Sequence, residues 1–170
     1  MLTAMRIYIM RHGRAEDRSS SGRDEDRSLT SSGRKGVTAV ARLLMSEGDV
    51  PQRILTSRLL RALQTGEIVA AAAKGSGWLG VPEATDDLAP DGDSVALVRQ
   101  LQAGSDLATM LVGHEPDLST LVVRLTDRPM PMPMDKAMVV AVDLHRKRAA
   151  TLRFILEPRS LAYVFDNRRG

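Results

Sequence analysis

Residues 5–13 read MRIYIMRHG, a short β-branched and aromatic run broken only by Arg6, which passes straight into Arg11-His12-Gly13. A run of this length and composition, closed by glycine, has the pattern of a buried strand. His12 then stands at the carboxyl end of that strand, where layered α/β folds build their sites. Two later segments repeat the arrangement: residues 53–56 (RILT) end at Ser57, and residues 109–112 (TMLV) end at Gly113-His114. Helical spacing fills the intervals. Capping residues at 30–32 precede Val37, Val40, Ala41 and Leu44, with Gly48 as a stop. Residues 60–73 and 94–102 are also helical in pattern, and Pro116 opens a helix continuing through Leu118, Leu121, Val122 and Leu125. Residues 138–144 and 151–156 flank a basic turn and read as a late hairpin. Strands alternating with helices predict an α/β layered sheet.

The composition narrows the function class. A chain of 170 residues with 43% hydrophobic and 26% charged residues is expected to be a single domain spanning 1–170, able to bury a core without staples. Cysteine is absent, which excludes disulfides, thiolate nucleophiles and every cysteine-containing zinc motif. No apolar run approaches the roughly 20 residues that span a bilayer. The first residues also lack a secretory leader, so no membrane role and a cytoplasmic location are expected. Arginine dominates a basic set with a net charge of only +3, which favours anionic partners. With five aromatics and no basic stripe interleaved among them, nucleic acid is not expected as a partner. Residues 14–28 (RAEDRSSSGRDEDRS) are almost wholly charged, Ser and Gly, and read as an exposed, mobile loop beside the Arg11-His12-Gly13 turn. His145 reads as a solvent-exposed residue, and Met130, Met132 and Met134 as gap fillers or pocket rim.

Three strand ends bring together the ingredients of phosphoryl transfer. A neutral imidazole nitrogen is a competent nucleophile near pH 7 if its other nitrogen is held by an acceptor, for which a backbone carbonyl near Gly13 is suited. The equatorial oxygens of a transferring phosphoryl group match guanidinium forks, which makes Arg11 and Arg61 candidate clamps and a protonated His114 a third cation. No close-spaced pair of ligands sits on one element, so neither a metal nor another cofactor is expected.

These segments resemble the histidine phosphatase superfamily, and within it the short SixA-type phosphohistidine phosphatases. The resemblance rests on Arg11-His12-Gly13, on residues 27–33 (RSLTSSG), on Ser57 with Arg61-Ala62-Leu63-Gln64-Thr65, on Gly113-His114, and on the short chain with residues 88–93 (LAPDGD). It implies a phosphoglycerate mutase-like, three-layer α/β/α sandwich around a mixed, mostly parallel sheet. It implies His12 as the phosphorylated nucleophile, with Arg11, Arg27, Arg61 and His114 binding phosphate. Arg58 departs from the family, which commonly has proline there. The branch lacks a clear general acid, although Asp86, Asp87 and Glu115 are candidates here, Asp87 and Glu115 foremost. The implied partner is a phosphohistidine-bearing protein such as a phosphotransfer domain, with a small phosphorylated substrate as the alternative. A module that binds phosphoproteins without catalysis is the reading from another class.

Overall fold

The computed structural model describes residues 4–104 and 108–168. The order of elements is β1 (Met5–Arg11), α1 (Ser31–Ser46), β2 (Arg53–Thr56), α2 (Leu60–Lys74), β3 (Glu83–Ala84), α3 (Ser94–Gly104), β4 (Thr109–Gly113), α4 (Asp117–Thr126), β5 (Val139–Leu144), β6 (Thr151–Glu157) and β7 (Ala162–Asp166). The strands form one sheet in the order β3-β2-β4-β1-β5-β6-β7. The sheet is mixed and α/β: β3, β2, β4 and β1 pair in parallel, and β5, β6 and β7 continue from β1 by antiparallel pairing.

β1 lies inside the sheet and is covered on both faces, which is why its sequence is a nearly continuous apolar run rather than an alternation. Its side chains still alternate in direction. Tyr8 and Met10 meet Val37, Val40, Ala41 and Leu44 of α1 and Ala62, Val69 and Ala70 of α2. Ile7 and Ile9 meet Leu97, Val98 and Leu101 of α3 and Leu118, Leu121 and Val122 of α4. Two helices therefore cover each face, giving three layers. Thr30 starts α1 by accepting a hydrogen bond from the Gly33 N–H at 2.9 Å, and Asp127 closes α4 in the left-handed region at φ 54°. None of the helices among the described residues is long and apolar enough to cross a membrane.

Several local expectations need correction. β3 and β7 were not visible as strands in the sequence, because β3 has two residues and β7 is an exposed edge. The charged segment 14–28 is pinned rather than free. Ala15 bridges Leu29, the Glu16 N–H donates to the Ser28 carbonyl at 2.8 Å, and a 3₁₀ turn forms at Asp24–Asp26. Ala15 and Leu29 are buried and anchor the two ends of a loop whose middle is polar. His145 is half-buried and hydrogen-bonds Thr151 across the late hairpin, well removed in the sheet from β1 and β4 carboxyl ends. Met134 is buried, while Met130 and Met132 pack against the core from partly buried positions.

Candidate active site

Register assembles the site. In the adjacent pair β1 and β4, Arg11 lies opposite Gly113, and in β4 and β2, Val112 lies opposite Thr56. His12, His114 and Ser57 are therefore the residues at which three neighbouring parallel strands run out. The His12 N–H donates to the Gly113 carbonyl at 3.1 Å and the Ser57 N–H to the Val112 carbonyl at 2.9 Å, locking the three ends together. The two imidazole rings stand 5.1 Å apart, and both histidines are only 5% exposed.

His12 Nδ1 lies 2.7 Å from the Gly13 carbonyl oxygen, an acceptor, so Nδ1 carries the proton and donates. That leaves the Nε2 lone pair for chemistry. Gly13 must be glycine because a Cβ there would stand 2.6 Å from Val37 Cγ2, preventing α1 from closing on the turn. Its N–H donates to Thr65 Oγ1 at 3.1 Å, and Thr65 in turn donates to the Arg61 carbonyl at 2.7 Å, joining the His12 turn to α2. Gln64 Oε1 accepts from the Leu29 N–H at 2.7 Å and fixes the end of the charged loop.

The candidate phosphate-binding groups converge from four places. Arg11 at the end of β1 donates through Nη1 to the Met134 carbonyl at 2.8 Å. Arg61, in the first turn of α2 and 5% exposed, donates to the Asp24 carbonyl at 2.9 Å and to Asp24 Oδ2 at 3.0 Å. Arg27 Nε pairs with Asp24 Oδ1 at 3.1 Å, out of line for a hydrogen bond. His114 Nε2 shares a hydrogen bond of 2.8 Å with Ser57 Oγ. Arg11 Nε, Arg61 Nε and His114 Nδ1 are buried with no hydrogen-bond partner among the described residues. Buried donors without partners are rare in folded proteins, and several in one place mark a site for an anion rather than a packing fault.

Burial sets the protonation of both rings. It pushes His12 down from its ordinary 6.5 to about 3; the Gly13 bond opposes the fall, while His114, Arg61 and Arg11 add to it. Burial likewise lowers His114 to about 4, helped by Arg61 and opposed by Asp24. Both imidazoles are therefore neutral near pH 7, so His114 acts there as a polar neighbour and becomes a cation only if an anion nearby draws a proton onto it. Asp24 behaves differently. Desolvation pushes its carboxyl up, but the hydrogen bond to Arg61 and the charges of Arg61 and Arg27 outweigh this and hold it below its ordinary value.

The structure thus gathers His12, Arg11, Arg27, Arg61 and His114. Among the described residues it leaves the candidate acids outside that network. Both Glu115 oxygens accept from Ser119, Asp87 shares a hydrogen bond with Thr85, and Asp86 pairs with Arg58 on the rim. Asp24 is the residue that sequence reasoning missed, hidden in a stretch rich in charges of both signs. Its place three residues before Arg27 was the available signal. Ser57, Gln64 and Thr65 stand in the sequence motifs, but their bonds are visible only in three dimensions. No group of three or more His, Cys, Asp or Glu among the described residues is placed to hold a metal ion.

Residues 7–86 match the family model of the histidine phosphatase superfamily (branch 1). Over 117 residues, 67% of this chain and 68% of the other, the sequence is 43% identical to an uncharacterized protein of Picosynechococcus. The solved structure of the protein histidine phosphatase SixA complexed with tungstate is 28% identical, with a TM-score of 0.82 over 93% of this chain and 100% of that one. A candidate SixA of Agrobacterium tumefaciens shares the fold at 23% identity and TM-score 0.76, covering 91% of this chain and 99% of that one. So does a mycobacterial glucosyl-3-phosphoglycerate phosphatase at 18% and 0.69, over 88% and 97%. The chain belongs to the histidine phosphatase superfamily and is of the SixA type.

Proposed function

We propose that the protein is a metal-independent phosphohistidine phosphatase acting on a phosphohistidine-bearing protein, such as a phosphotransfer domain, through a phosphorylated His12. The carrying observation is the pairing of a neutral His12, its Nδ1 tied to Gly13, with buried guanidinium donors, while the candidate acids Glu115, Asp87 and Asp86 are engaged by other partners. In the first step His12 Nε2 attacks phosphorus in line, the new N–P bond forms, and the substrate's N–P bond breaks. The departing imidazole takes its proton from solvent. Water then attacks the phosphoryl group on His12, orthophosphate leaves, and the ring returns to its neutral state. Arg11, Arg27, Arg61 and His114 hold the equatorial oxygens in both steps, and each donor of this kind is worth on the order of 10²–10³ in rate.

The engagement of those carboxylates elsewhere fits this substrate. Imidazole can be protonated near neutral pH and leaves far more readily than an alkoxide, so general-acid help, usually worth roughly 10²–10⁴, is dispensable. The test is mass spectrometry under non-acidic conditions after brief mixing with a phosphorylated phosphotransfer domain. The expected result is phosphate on His12 as it disappears from the domain. Full activity in a His12→Ala variant would overturn the mechanism, and turnover of aryl or sugar phosphates without turnover of the domain would overturn the substrate class.

A further inference from the structure

Beside the phosphate clamp lies a second basic feature, sharing Arg11 with it, whose other cations the two-step reaction does not use. A cleft of about 490 Å³ opens between the start of α1, the loop before β5 and the turn joining β6 to β7. Its charged lining is Arg11, Arg14, Lys136 and Arg159 against the single carboxylate of Asp135. Arg159 and Asp135 form a loose ion pair at 3.5 Å, with the arginine side chain 82% exposed. The cleft is physically continuous with the site through Arg11, and the next residue after Lys136 joins them again. The Ala137 N–H, in the left-handed region at φ 68°, donates to the carbonyls of Arg11 and His12 at 3.1 and 3.2 Å.

We infer that this cleft receives a carboxylate of the substrate protein, from an Asp or Glu lying one helical turn from its phosphohistidine. The inference rests on the phosphohistidine reading above and adds a recognition rule to it. On a helix, residues four apart are about 6 Å from one another at Cβ, so one helix can present a phosphohistidine to the clamp and a carboxylate to a cleft that shares Arg11 with it. Exposed lysine and arginine heads on flexible stems suit a carboxylate presented from a protein surface. A compact second phosphate would instead call for free backbone N–H groups, and two of those in the first turn of α1 are engaged: Gly33 donates to Thr30 Oγ1 and Arg34 to the Thr30 carbonyl, each at 2.9 Å. The field at Lys136 agrees. Desolvation lowers its affinity for a proton, and the charges of Arg11, Arg27, Arg14 and Arg61 act in the same direction. An arriving carboxylate relieves that crowding of like charges.

Gly36 offers a clean way to block the cleft, because a Cβ built there meets nothing within 4 Å. The experiment is isothermal titration with stapled helical peptides that carry a stable phosphonate analogue of phosphohistidine and either Glu or Gln four residues away. Inorganic phosphate serves as the probe of the clamp alone. The wild-type protein is expected to bind the Glu peptide about tenfold more tightly than the Gln peptide. Gly36→Glu abolishes that preference and Lys136→Glu inverts it, while phosphate still binds both variants. Equal affinity of the wild type for the two peptides would overturn the role of the cleft and leave the phosphohistidine reading standing. Binding of phosphate with neither peptide would overturn both.

Discussion

The two halves of the sheet do different work. In the parallel half, β1, β4 and β2 end side by side and deliver His12, His114 and Ser57 to one place. The antiparallel half contributes no histidine to the site. It offers the core around Phe154, and the Met138 carbonyl at the foot of β5 accepts the Arg11 N–H at 3.2 Å. The difference follows from connectivity. Parallel strands joined by crossover helices must all finish at the same edge, so chemistry drawn from distant segments meets there, whereas a hairpin returns the chain to the opposite edge at every turn. One half thus concentrates function and the other buttresses it, and substitutions should separate the two roles.

The sharpest separation sets His12 against Phe154. His12→Ala is expected to lower hydrolysis on the order of 10⁴-fold or more while the protein still unfolds cooperatively, measured by single-turnover kinetics and urea denaturation. Phe154 is fully buried, with its ring 6.2 Å from Tyr8 and 5.0 Å from Tyr163. Phe154→Ala is expected to cost about 3–5 kcal/mol of stability. Turnover per folded molecule should change less than about twofold, since the ring's aromatic and cation–π neighbours are Tyr8, Tyr163 and Arg168, none of them assigned to the site. A large loss of kcat in folded Phe154→Ala would mean that the antiparallel half positions the site through its packing as well as through its backbone bonds to Arg11 and His12.

Much of this division was legible in the sequence. The apolar run before Arg11 reads as a buried strand, and its abrupt end in His12-Gly13 pointed to the candidate site. The donor to the Gly13 carbonyl followed from what a nucleophilic imidazole needs. The grouping of His12 with His114 and the arginines was readable as motifs, because each occupies a short local pattern after a strand or on a helix start. What escaped were features decided by long-range geometry. β3 is too short to carry a pattern, and β7 has an edge where polarity is unconstrained. Asp24 looked like one charge among many, because nothing local to residues 14–28 reveals that Arg61, 37 positions away, waits for it.

Acidification sharpens the comparison from another side. An imidazole in the unfolded chain takes a proton near pH 6.5, whereas folded His12 and His114 hold off protonation to about 3 and about 4. Between those limits the unfolded state binds more protons, so both histidines favour unfolding as the pH falls from about 6.5, and their contribution to stability is fully present only above it. Each supplies a slope of up to about 1.4 kcal/mol per pH unit. Urea denaturation at pH 7 and pH 5 should show a smaller loss for His114→Asn than for the wild type, and an equal loss in the two would mean that His114 is not held neutral.

The smallest effect concerns the contact that ties the charged loop to the parallel half. Asp24 presents its carboxylate to Arg61 and Arg27, the same guanidinium groups that would grip phosphate, so loop and ligand compete for them. The side chain is 63% exposed, and an ion pair so open to water contributes only about 0.2–1 kcal/mol. Asp24→Asn is therefore expected to tighten phosphate binding about two- to fivefold at low salt, with the gain shrinking as ionic strength rises. The sign depends on what the substitution leaves behind. The Asp24 backbone carbonyl still accepts from Arg61 Nη1, so the guanidinium keeps its aim while the competing charge goes. Titration of phosphate into Asp24→Asn decides the matter: weaker binding would mean that the carboxylate orients Arg61 for the ligand, and the charged loop would then belong to the clamp rather than guard it.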